Sequence, residues 1–302
     1  MSKFILGSGL VGVIAKEILG NDWEIIPQGR SRYYSFDPAL ADNYIMVSDA
    51  VREIINIGTE IKFIKRAFSL GGSLLWDKHD WMLDMYCQKI YEEPSFIFKT
   101  LFRPTVEIFN LRSNDLYRIL MNKHIQDIKR ANAKYGQILE IKDGHIITTT
   151  GKFAYSRALS TVPLDALCKF LKIDMNLKAK DTWVYKIETD QLDFEGANEV
   201  FVLDQVYDFY KCIQLSKFEY QFFCLNEIQT PFEYFGAFTN NKLKFSSLDA
   251  TKVSNSIPIA TILPDLSILK NNHNIECIGS NAQWDDMADI GSCISRILKM
   301  RS

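Results

Sequence analysis

The stretch Lys3-Phe4-Ile5-Leu6-Gly7-Ser8-Gly9-Leu10-Val11-Gly12 decides the fold that we predict for this chain. Its apolar run stops at Gly7, and an amphipathic stretch follows over residues 10–19. This pattern predicts a strand, a tight glycine turn and a helix. A second apolar run over residues 23–26 predicts the next strand, which ends at Pro27 and Gln28.

The three glycines of this stretch have the spacing of a dinucleotide-binding turn. Gly7 permits the turn, Gly9 allows the backbone to approach a pyrophosphate, and Gly12 allows the helix to pack closely on the strand. The first helical N–H groups and the positive end of the helix dipole would then face the phosphates. The alternative is a glycine turn in an α/β protein that binds no nucleotide.

Composition and charge are those of an ordinary globular protein. The chain has 302 residues, of which 47% are hydrophobic and 24% charged, and its net charge is −2. A charge so close to zero favours neither nucleic acid nor an anionic membrane as a partner. We therefore expect a small-molecule substrate, and the sequence leaves the oligomeric state open.

Cysteine and histidine are scattered rather than grouped. The six cysteines include no C-x-x-C pair and the four histidines are dispersed, so we expect reduced thiols and no metal site. Only Met1 and Ser2 precede the first predicted strand, which leads us to expect no signal peptide. No apolar run approaches the roughly 18 residues of a membrane span. These features predict a cytoplasmic protein.

The remaining pattern divides the chain into α/β and strand-rich parts. We predict mostly helices over residues 49–92, strands over 95–102 and 105–111, and a helix that Ser113 caps and that runs to residue 133. A hairpin over 137–149, a strand over 157–162 and a helix over 164–171 follow. Residues 182–263 indicate a separate antiparallel layer, and a strand at 275–278 and a helix at 289–300 close the chain.

The fold class predicted from this order is α/β (α+β overall), with a discontinuous Rossmann-like domain and an inserted domain of helices and an antiparallel sheet. Residues 1–35, 113–165 and 270–302 would form the nucleotide-binding domain. Residues 36–112 and 166–269 would form the substrate domain.

Three stretches, in this order, resemble a known group of enzymes. The glycine turn is similar to the FAD fingerprint of the superfamily of flavin-containing amine oxidases and UDP-galactopyranose mutases. The segment from Ile141 through Pro163 to Leu167 resembles that group's middle motif, and residues 278–287 resemble its closing flavin-contacting motif. Residues 202–211 look like strands of the mutase branch.

This resemblance implies FAD as the cofactor, with the flavin ring at the junction of the two domains. The cofactor-binding residues that it implies are Gly7, Ser8, Gly9, Leu10, Val11, Gly12, Gln28, Gly29, Arg30, Ser31, Arg32, Thr161, Val162, Pro163, Gly279, Ser280, Trp284, Asp286, Met287 and Ala288. Guanidinium groups bind phosphate oxygens in bidentate fashion, which favours a pyrophosphate contact for Arg30 or Arg32. A surface loop with two solvated arginines is the alternative. The start of the helix after Asp286 and Met287 would stabilise negative charge on a reduced flavin. The alternative for this segment is a capped helix with Trp284 buried beside it.

Two positions depart from the family's pattern. Gln28 stands where an acidic residue usually binds the adenosine ribose, and a neutral amide there predicts weaker adenosine binding and leaves NAD or NADP as an alternative cofactor. Ser280 replaces the arginine that usually follows the glycine of the closing motif, which removes a cation.

Three residues are candidates for contact with the substrate. Arg103 and Lys211 could bind an anionic group, and Tyr210 could contribute to an aromatic wall. A surface turn and a sheet with alternating faces are the respective alternatives. The function predicted is an FAD-dependent oxidoreductase that acts at flavin N5, with a mutase-like enzyme on a nucleotide-linked sugar second and an inactive nucleotide-binding protein third.

Overall fold

A computed structural model describes residues 2–28, 44–54, 60–91, 103–190, 192, 194–231, 234–235, 247–259, 264–283 and 289–301. The chain combines helices with mixed sheets, so the α/β class predicted from the sequence is confirmed. None of the helices in these ranges is long and apolar enough to cross a membrane.

The described strands are β1 (Ser2–Leu6), β2 (Trp23–Ile26), β3 (Tyr44–Met46), β4 (Ile61–Leu70), β5 (Ser73–Leu75), β6 (Thr105–Arg112), β7 (Ile138–Lys142), β8 (His145–Thr148), β9 (Lys152–Ser160), β10 (Lys178–Glu188), β11 (Glu199–Val202), β12 (Phe209–Gln214), β13 (Glu219–Cys224), β14 (Ser247–Ile259) and β15 (Ile275–Cys277). The described helices are α1 (Leu10–Leu19), α2 (Asp49–Ile54), α3 (Asp80–Tyr91), α4 (Ser113–Tyr135), α5 (Leu164–Leu171), α6 (Ser267–His273), α7 (Ser280–Gln283) and α8 (Ile290–Arg301).

The first sheet has the order β2-β1-β9-β8-β7, and β15 pairs with β9. Strands β2, β1, β9 and β15 are parallel, and the register aligns Leu6 with Ile26 and with Ser160, and Ser160 with Cys277. Their carboxyl ends therefore meet at one edge, where ligands bind in open α/β sheets. These four strands come from the beginning, the middle and the end of the chain.

A continuous apolar core joins this sheet to its helices. Helix α1 packs against both α4 and α8. Phe4 and Ile14 are almost completely buried in this core, and the ring of Phe4 meets that of Tyr135 edge-on at 5.4 Å. This packing fixes the start of α1 relative to the carboxyl edge of the sheet.

The second sheet has the order β14-β10-β13-β12-β11-β4-β6-β3, with β5 beside β4. The strands from residues 182–263 pair antiparallel to one another, as predicted. They do not form a separate layer, because β11 also pairs with β4, in parallel, and the sheet as a whole is mixed. Strand β4 also corrects the prediction of mostly helical structure over residues 49–92. The first half of β4 pairs with β6 and the second half pairs with β11. These pairings outweighed the spacing of apolar residues that had indicated a helix.

Smaller differences concern where elements begin. Arg112 rather than Ser113 occupies the N-cap position of α4, and Ser113 is the first residue of that helix. Strand β9 is longer than predicted because its first residues pair with β8 and its last residues pair with β1 and β15. The strand predicted over residues 95–102 lies outside the described residues.

Candidate functional site

The glycine turn lies at the carboxyl edge of the parallel sheet. Gly7 follows β1 with a φ of +101°, a conformation that side chains other than glycine rarely adopt. A Cβ added to Gly12 would lie 2.2 Å from the Gly7 carbonyl oxygen, so the first turn of α1 packs directly on the turn backbone. Only glycine fits at either position.

The start of α1 has the properties of a phosphate-binding site. Gly9 occupies the N-cap position, no side chain caps the helix, and no acidic residue lies in its first turn. The first intrahelical bond runs from the Val13 N–H to the Gly9 carbonyl at 3.0 Å, which leaves the N–H groups of Leu10, Val11 and Gly12 without a helical acceptor. A Cβ on Gly9 would meet nothing within 4 Å, so there is room for a ligand beside this backbone.

The end of β9 lies against the same turn. Thr161 donates to the Leu6 carbonyl through its N–H at 2.8 Å and through its hydroxyl at 3.0 Å. The Thr161 Oγ1 atom is also 2.7 Å from the position that a Cβ on Gly7 would take. Val162 is buried, and Pro163 occupies the N-cap position of α5. The structure thus brings Thr161, Val162 and Pro163, which the resemblance implies as cofactor contacts, to the edge that carries the glycine turn.

The closing segment reaches this edge through β15. The Ile278 N–H donates to the Ser160 carbonyl at 3.0 Å, and Gly279 follows with a φ of +119°. A Cβ added to Gly279 would have the Val11 side chain as its nearest neighbour, at 3.7 Å. Gly279 therefore lies beside the first turn of α1, and Ser280 opens α7 directly after it.

The Gln28 amide contacts protein backbone at the end of β2. Its nitrogen donates to the Pro27 carbonyl at 3.0 Å, and its oxygen accepts the Ile138 N–H at 3.3 Å. The side chain predicted to bind a ribose is thus joined to β7. Gly29, Arg30, Ser31, Arg32, Trp284, Asp286, Met287 and Ala288 lie outside the described residues.

Tyr210 and Lys211 share one face of the second sheet. A register shift between β12 and β13 interrupts the usual alternation of side chains between the two faces of the sheet. The Tyr210 ring lies 6.2 Å from the Phe223 ring, and the Lys211 Nζ lies 5.3 Å from the same ring. The Tyr210 hydroxyl is 3.2 Å from that of Thr182. Arg103 is exposed just before β6, and no contact in the described part of the chain joins it to these two residues.

The structure adds two residues that the sequence did not single out. Glu199 is 3% exposed, and its carboxylate contacts the Arg66 Nε at 2.6 Å and the Lys211 Nζ at 2.7 Å. Burial alone would raise the pKa of Glu199, but Lys211 and Arg66 outweigh this effect and lower it to about 2. A glutamate at the start of the apolar strand β11 was the available signal for this ion cluster.

A third cation, Arg112, is the last residue of β6 in the second sheet and the N-cap residue of α4. Its Nη2 donates to the Gln214 and Leu215 carbonyls at 3.0 Å each, and its guanidinium carbon lies 3.8 Å from the centre of the Tyr44 ring. In the helix that begins after Arg112, the Tyr117 hydroxyl donates to the Ser8 carbonyl at 3.3 Å. Helix α4 thus connects this cation to the glycine turn.

Among the described residues no group of three or more His, Cys, Asp or Glu side chains is arranged to hold a metal ion. All six cysteines are free and buried.

A parallel sheet with a glycine turn at its carboxyl edge, together with a second mixed sheet, defines an α/β protein. Neither a protein-family model nor a curated protein matches the sequence. The fold does match solved structures. A reduced UDP-galactopyranose mutase has a TM-score of 0.72 at 11% identity, with 99% of this chain and 93% of that chain covered.

Two further structures show the same relationship. Cyclohexylamine oxidase from Brevibacterium oxydans IH-35A has a TM-score of 0.65 at 8% identity, with 99% of this chain and 97% of that chain covered. An oxidoreductase from Methanosarcina mazei has a TM-score of 0.64 at 9% identity, with 99% of each chain covered. The chain therefore has the fold of these solved structures, which include the two kinds of enzyme that its motifs resemble.

Proposed function

We propose that this chain is an FAD-dependent oxidoreductase that acts on a small molecule. The observation that carries the proposal is the start of α1, where three N–H groups without helical acceptors adjoin the open space beside Gly9. This arrangement suits a pyrophosphate. The motifs at Thr161 and Gly279 adjoin the same turn, and their combination resembles the FAD-binding pattern rather than a general nucleotide site.

The described residues would bind and orient FAD rather than react with substrate. The α1 N–H groups would bind its pyrophosphate, and Thr161 and Gly279 would keep the turn in its binding conformation. When bound, FAD would supply a ring nitrogen, N5, that can accept a hydride from a C–H bond next to nitrogen or oxygen. The chain would contribute positioning of the substrate and exclusion of water.

A mutase-like reaction on a nucleotide-linked sugar is the second candidate. The TM-score of 0.72 with a UDP-galactopyranose mutase favours it. Serine at position 280, in place of the usual arginine, counts against it. An inactive nucleotide-binding protein would take up a dinucleotide without turnover, which separates it from both enzymes.

The first test is the absorbance spectrum of the purified protein with and without added FAD. Flavin bands that shift relative to those of free FAD would support the proposal. A colourless protein that leaves the FAD spectrum unchanged would contradict it, and NADPH and NADH would then be titrated. Anaerobic reduction of the FAD-loaded protein by amines would favour the oxidoreductase, and conversion of a nucleotide sugar without net redox change would favour the mutase.

The matched variants are Gly9→Val and Ser267→Val. Gly9 has a φ of −66° and open space around its Cβ direction, so valine should fit without strain while filling the space that phosphate needs. Ser267 is exposed at the first position of α6, away from the glycine turn. Loss of FAD binding in Gly9→Val alone is the expected result, and equal FAD binding by both variants would contradict the proposed site.

A further inference from the structure

Tyr117 of α4 reaches the glycine turn with its hydroxyl group. Its half-buried ring packs against the core of the first sheet, and its hydroxyl donates to the Ser8 carbonyl at 3.3 Å. Ser8 is 4% exposed, whereas the next residue, Gly9, is exposed to solvent. Tyr117 therefore contacts the buried part of the turn, directly before the residue that opens to solvent.

This hydrogen bond acts on a single peptide group, the one that links Ser8 to Gly9. No cis peptide bond occurs in the described part of the chain, so the carbonyl and the N–H of this group point in opposite directions. With the carbonyl directed at Tyr117, the Gly9 N–H is directed away from it. That N–H has no acceptor among the described residues, so a ligand can bind to it.

No second donor within the described ranges holds the Ser8 carbonyl. Helix α1 fixes the following peptide group, through the bond from the Val13 N–H to the Gly9 carbonyl at 3.0 Å, but not this one. Rotation of the Ser8–Gly9 peptide group by half a turn would move Gly9 from a φ of −66° to a positive φ, which glycine adopts readily. The Tyr117 hydroxyl thus selects one of two orientations that the backbone permits.

The two orientations would act on an anion in opposite ways. In the observed orientation, the Gly9 N–H adds a donor to the three at the start of α1, and successive N–H groups of this kind form a concave site for anions. In the rotated orientation, the Ser8 carbonyl oxygen would take the place of that N–H. Its partial negative charge would repel a phosphate group.

We infer that Tyr117 is a positioning residue for pyrophosphate binding, because its hydroxyl holds the Ser8–Gly9 peptide group with the Gly9 N–H available to the ligand. This inference rests on the proposed function and deepens it. It adds to the site a side chain that lies 109 positions from Ser8 in the sequence and that belongs to a different helix.

The test compares Tyr117→Phe with wild type in the binding of FAD and of ADP, measured by calorimetry. Phenylalanine keeps the ring that packs against the core and removes only the hydroxyl. Both ligands should bind about fivefold more weakly, as expected for the loss of one hydrogen bond between neutral groups. FAD and ADP share a diphosphate attached to adenosine, so equal weakening would assign the effect to this shared part. Weakening of FAD alone would overturn the inference.

Tyr155→Phe is the matched control. The Tyr155 hydroxyl also donates to a backbone carbonyl, that of His273 at 2.7 Å. Tyr155 pairs with Ser2, at the opposite end of the parallel strands from the glycine turn. This variant should lose stability toward urea and keep the wild-type affinity for both ligands. Equal affinities of wild type and Tyr117→Phe, or the same loss of affinity in both variants, would overturn the inference.

A second background tests the rotation of the peptide group itself. A Cβ at position 9 would meet no atom within 4 Å, but alanine adopts a positive φ far less readily than glycine. In Gly9→Ala the observed orientation should persist without the hydroxyl. Adding Tyr117→Phe to Gly9→Ala should therefore weaken ADP binding much less than it does in the wild-type background. An equal loss in the two backgrounds would overturn the positioning role.

FAD uptake by the wild-type protein separates this inference from the function on which it rests. Wild type that binds ADP but not FAD would contradict the proposed flavoprotein, and the ADP affinities would still decide the role of Tyr117. FAD bound equally by wild type and Tyr117→Phe would overturn the role of Tyr117 alone. No binding of either ligand by wild type would contradict both.

Discussion

Gly12 packs on Gly7 so closely that a Cβ on Gly12 would lie 2.2 Å from the Gly7 carbonyl oxygen. The Gly7 carbonyl and the Gly12 Cα that would carry the Cβ both belong to the backbone, so neither can move without displacing α1 from β1. We expect Gly12→Ala to lower the free energy of unfolding by about 2 kcal/mol, despite the better helix propensity of alanine. Urea unfolding followed by circular dichroism would measure this change.

Gly9→Ala is the control for that prediction, because its Cβ would meet no atom within 4 Å. Alanine is less favourable than glycine at an N-cap, so we expect a small loss of below about 1 kcal/mol, well under that of Gly12→Ala. Equal midpoints for Gly12→Ala and Gly9→Ala would show that the close approach of helix and turn does not stabilise the fold.

Thr161→Val removes one hydrogen bond between the ends of two parallel strands and keeps the side-chain volume. The Thr161 hydroxyl donates to the Leu6 carbonyl at 3.0 Å. We expect a loss of about 1 kcal/mol in the free energy of unfolding, the usual net contribution of such a bond. Thr105→Val, at an exposed position on β6, should cost much less, and a similar cost for both variants would contradict the role assigned to Thr161.

The glycine turn could be predicted because its determinants are local. Gly7, Gly9 and Gly12 lie within six residues, and the backbone of that one turn requires glycine at positions 7 and 12. Strand β4 could not be recognised from its apolar spacing, since its side-chain pattern changes where its pairing passes from β6 to β11. A signal was nevertheless present. Gly71 and Gly72 have φ values of +59° and +78° and form the two-residue turn between β4 and β5, a strong hairpin signature.

The ion cluster at Glu199 could not be predicted for a different reason. Arg66 and Glu199 are 133 positions apart in the chain, and only the parallel pairing of β4 with β11 brings them together. Lys211 was identified as a cation that could face a ligand, but its buried partner depends on this long-range pairing. The glycine turn at the edge of the first sheet is encoded in a short motif, whereas the cations of the second sheet are brought together by tertiary structure.

Glu199→Gln should destabilise the protein at neutral pH by about 3 kcal/mol or more, because Arg66 and Lys211 lose their counter-charge in a buried site. The pKa of Glu199 is lowered from 4.5 to about 2 in the folded protein. Its contribution to stability is therefore complete above pH 4.5 and is lost as the pH falls from 4.5 toward 2. The stability difference between wild type and variant should shrink over this range.

Glu140→Gln serves as the control for this pH dependence, because Glu140 pairs with the exposed Lys172 at the surface. Urea unfolding at a series of pH values would measure both differences. A gap between wild type and Glu199→Gln that stays constant down to pH 2 would contradict a carboxylate held ionised by its two cations.

Lys89 should give a dependence of the same sign at alkaline pH, because its pKa is also lowered in the folded protein. Its ammonium lies at the end of β11, where it donates to the carbonyls of Val202 at 3.3 Å, Asp204 at 2.5 Å and Phe209 at 2.8 Å. Burial lowers the pKa of Lys89 from 10.5 to about 8. Between these values the unfolded chain binds more protons than the folded one, so this group makes folding more favourable as the pH rises from 8 to 10.5.

Lys89→Met should remove that gain, and Gln88→Met, at an exposed position on the same helix, should keep it. Unfolding free energies at pH 7 to 10.5 would measure the slopes, and parallel curves for wild type and Lys89→Met would contradict a lysine whose charged form is disfavoured by burial.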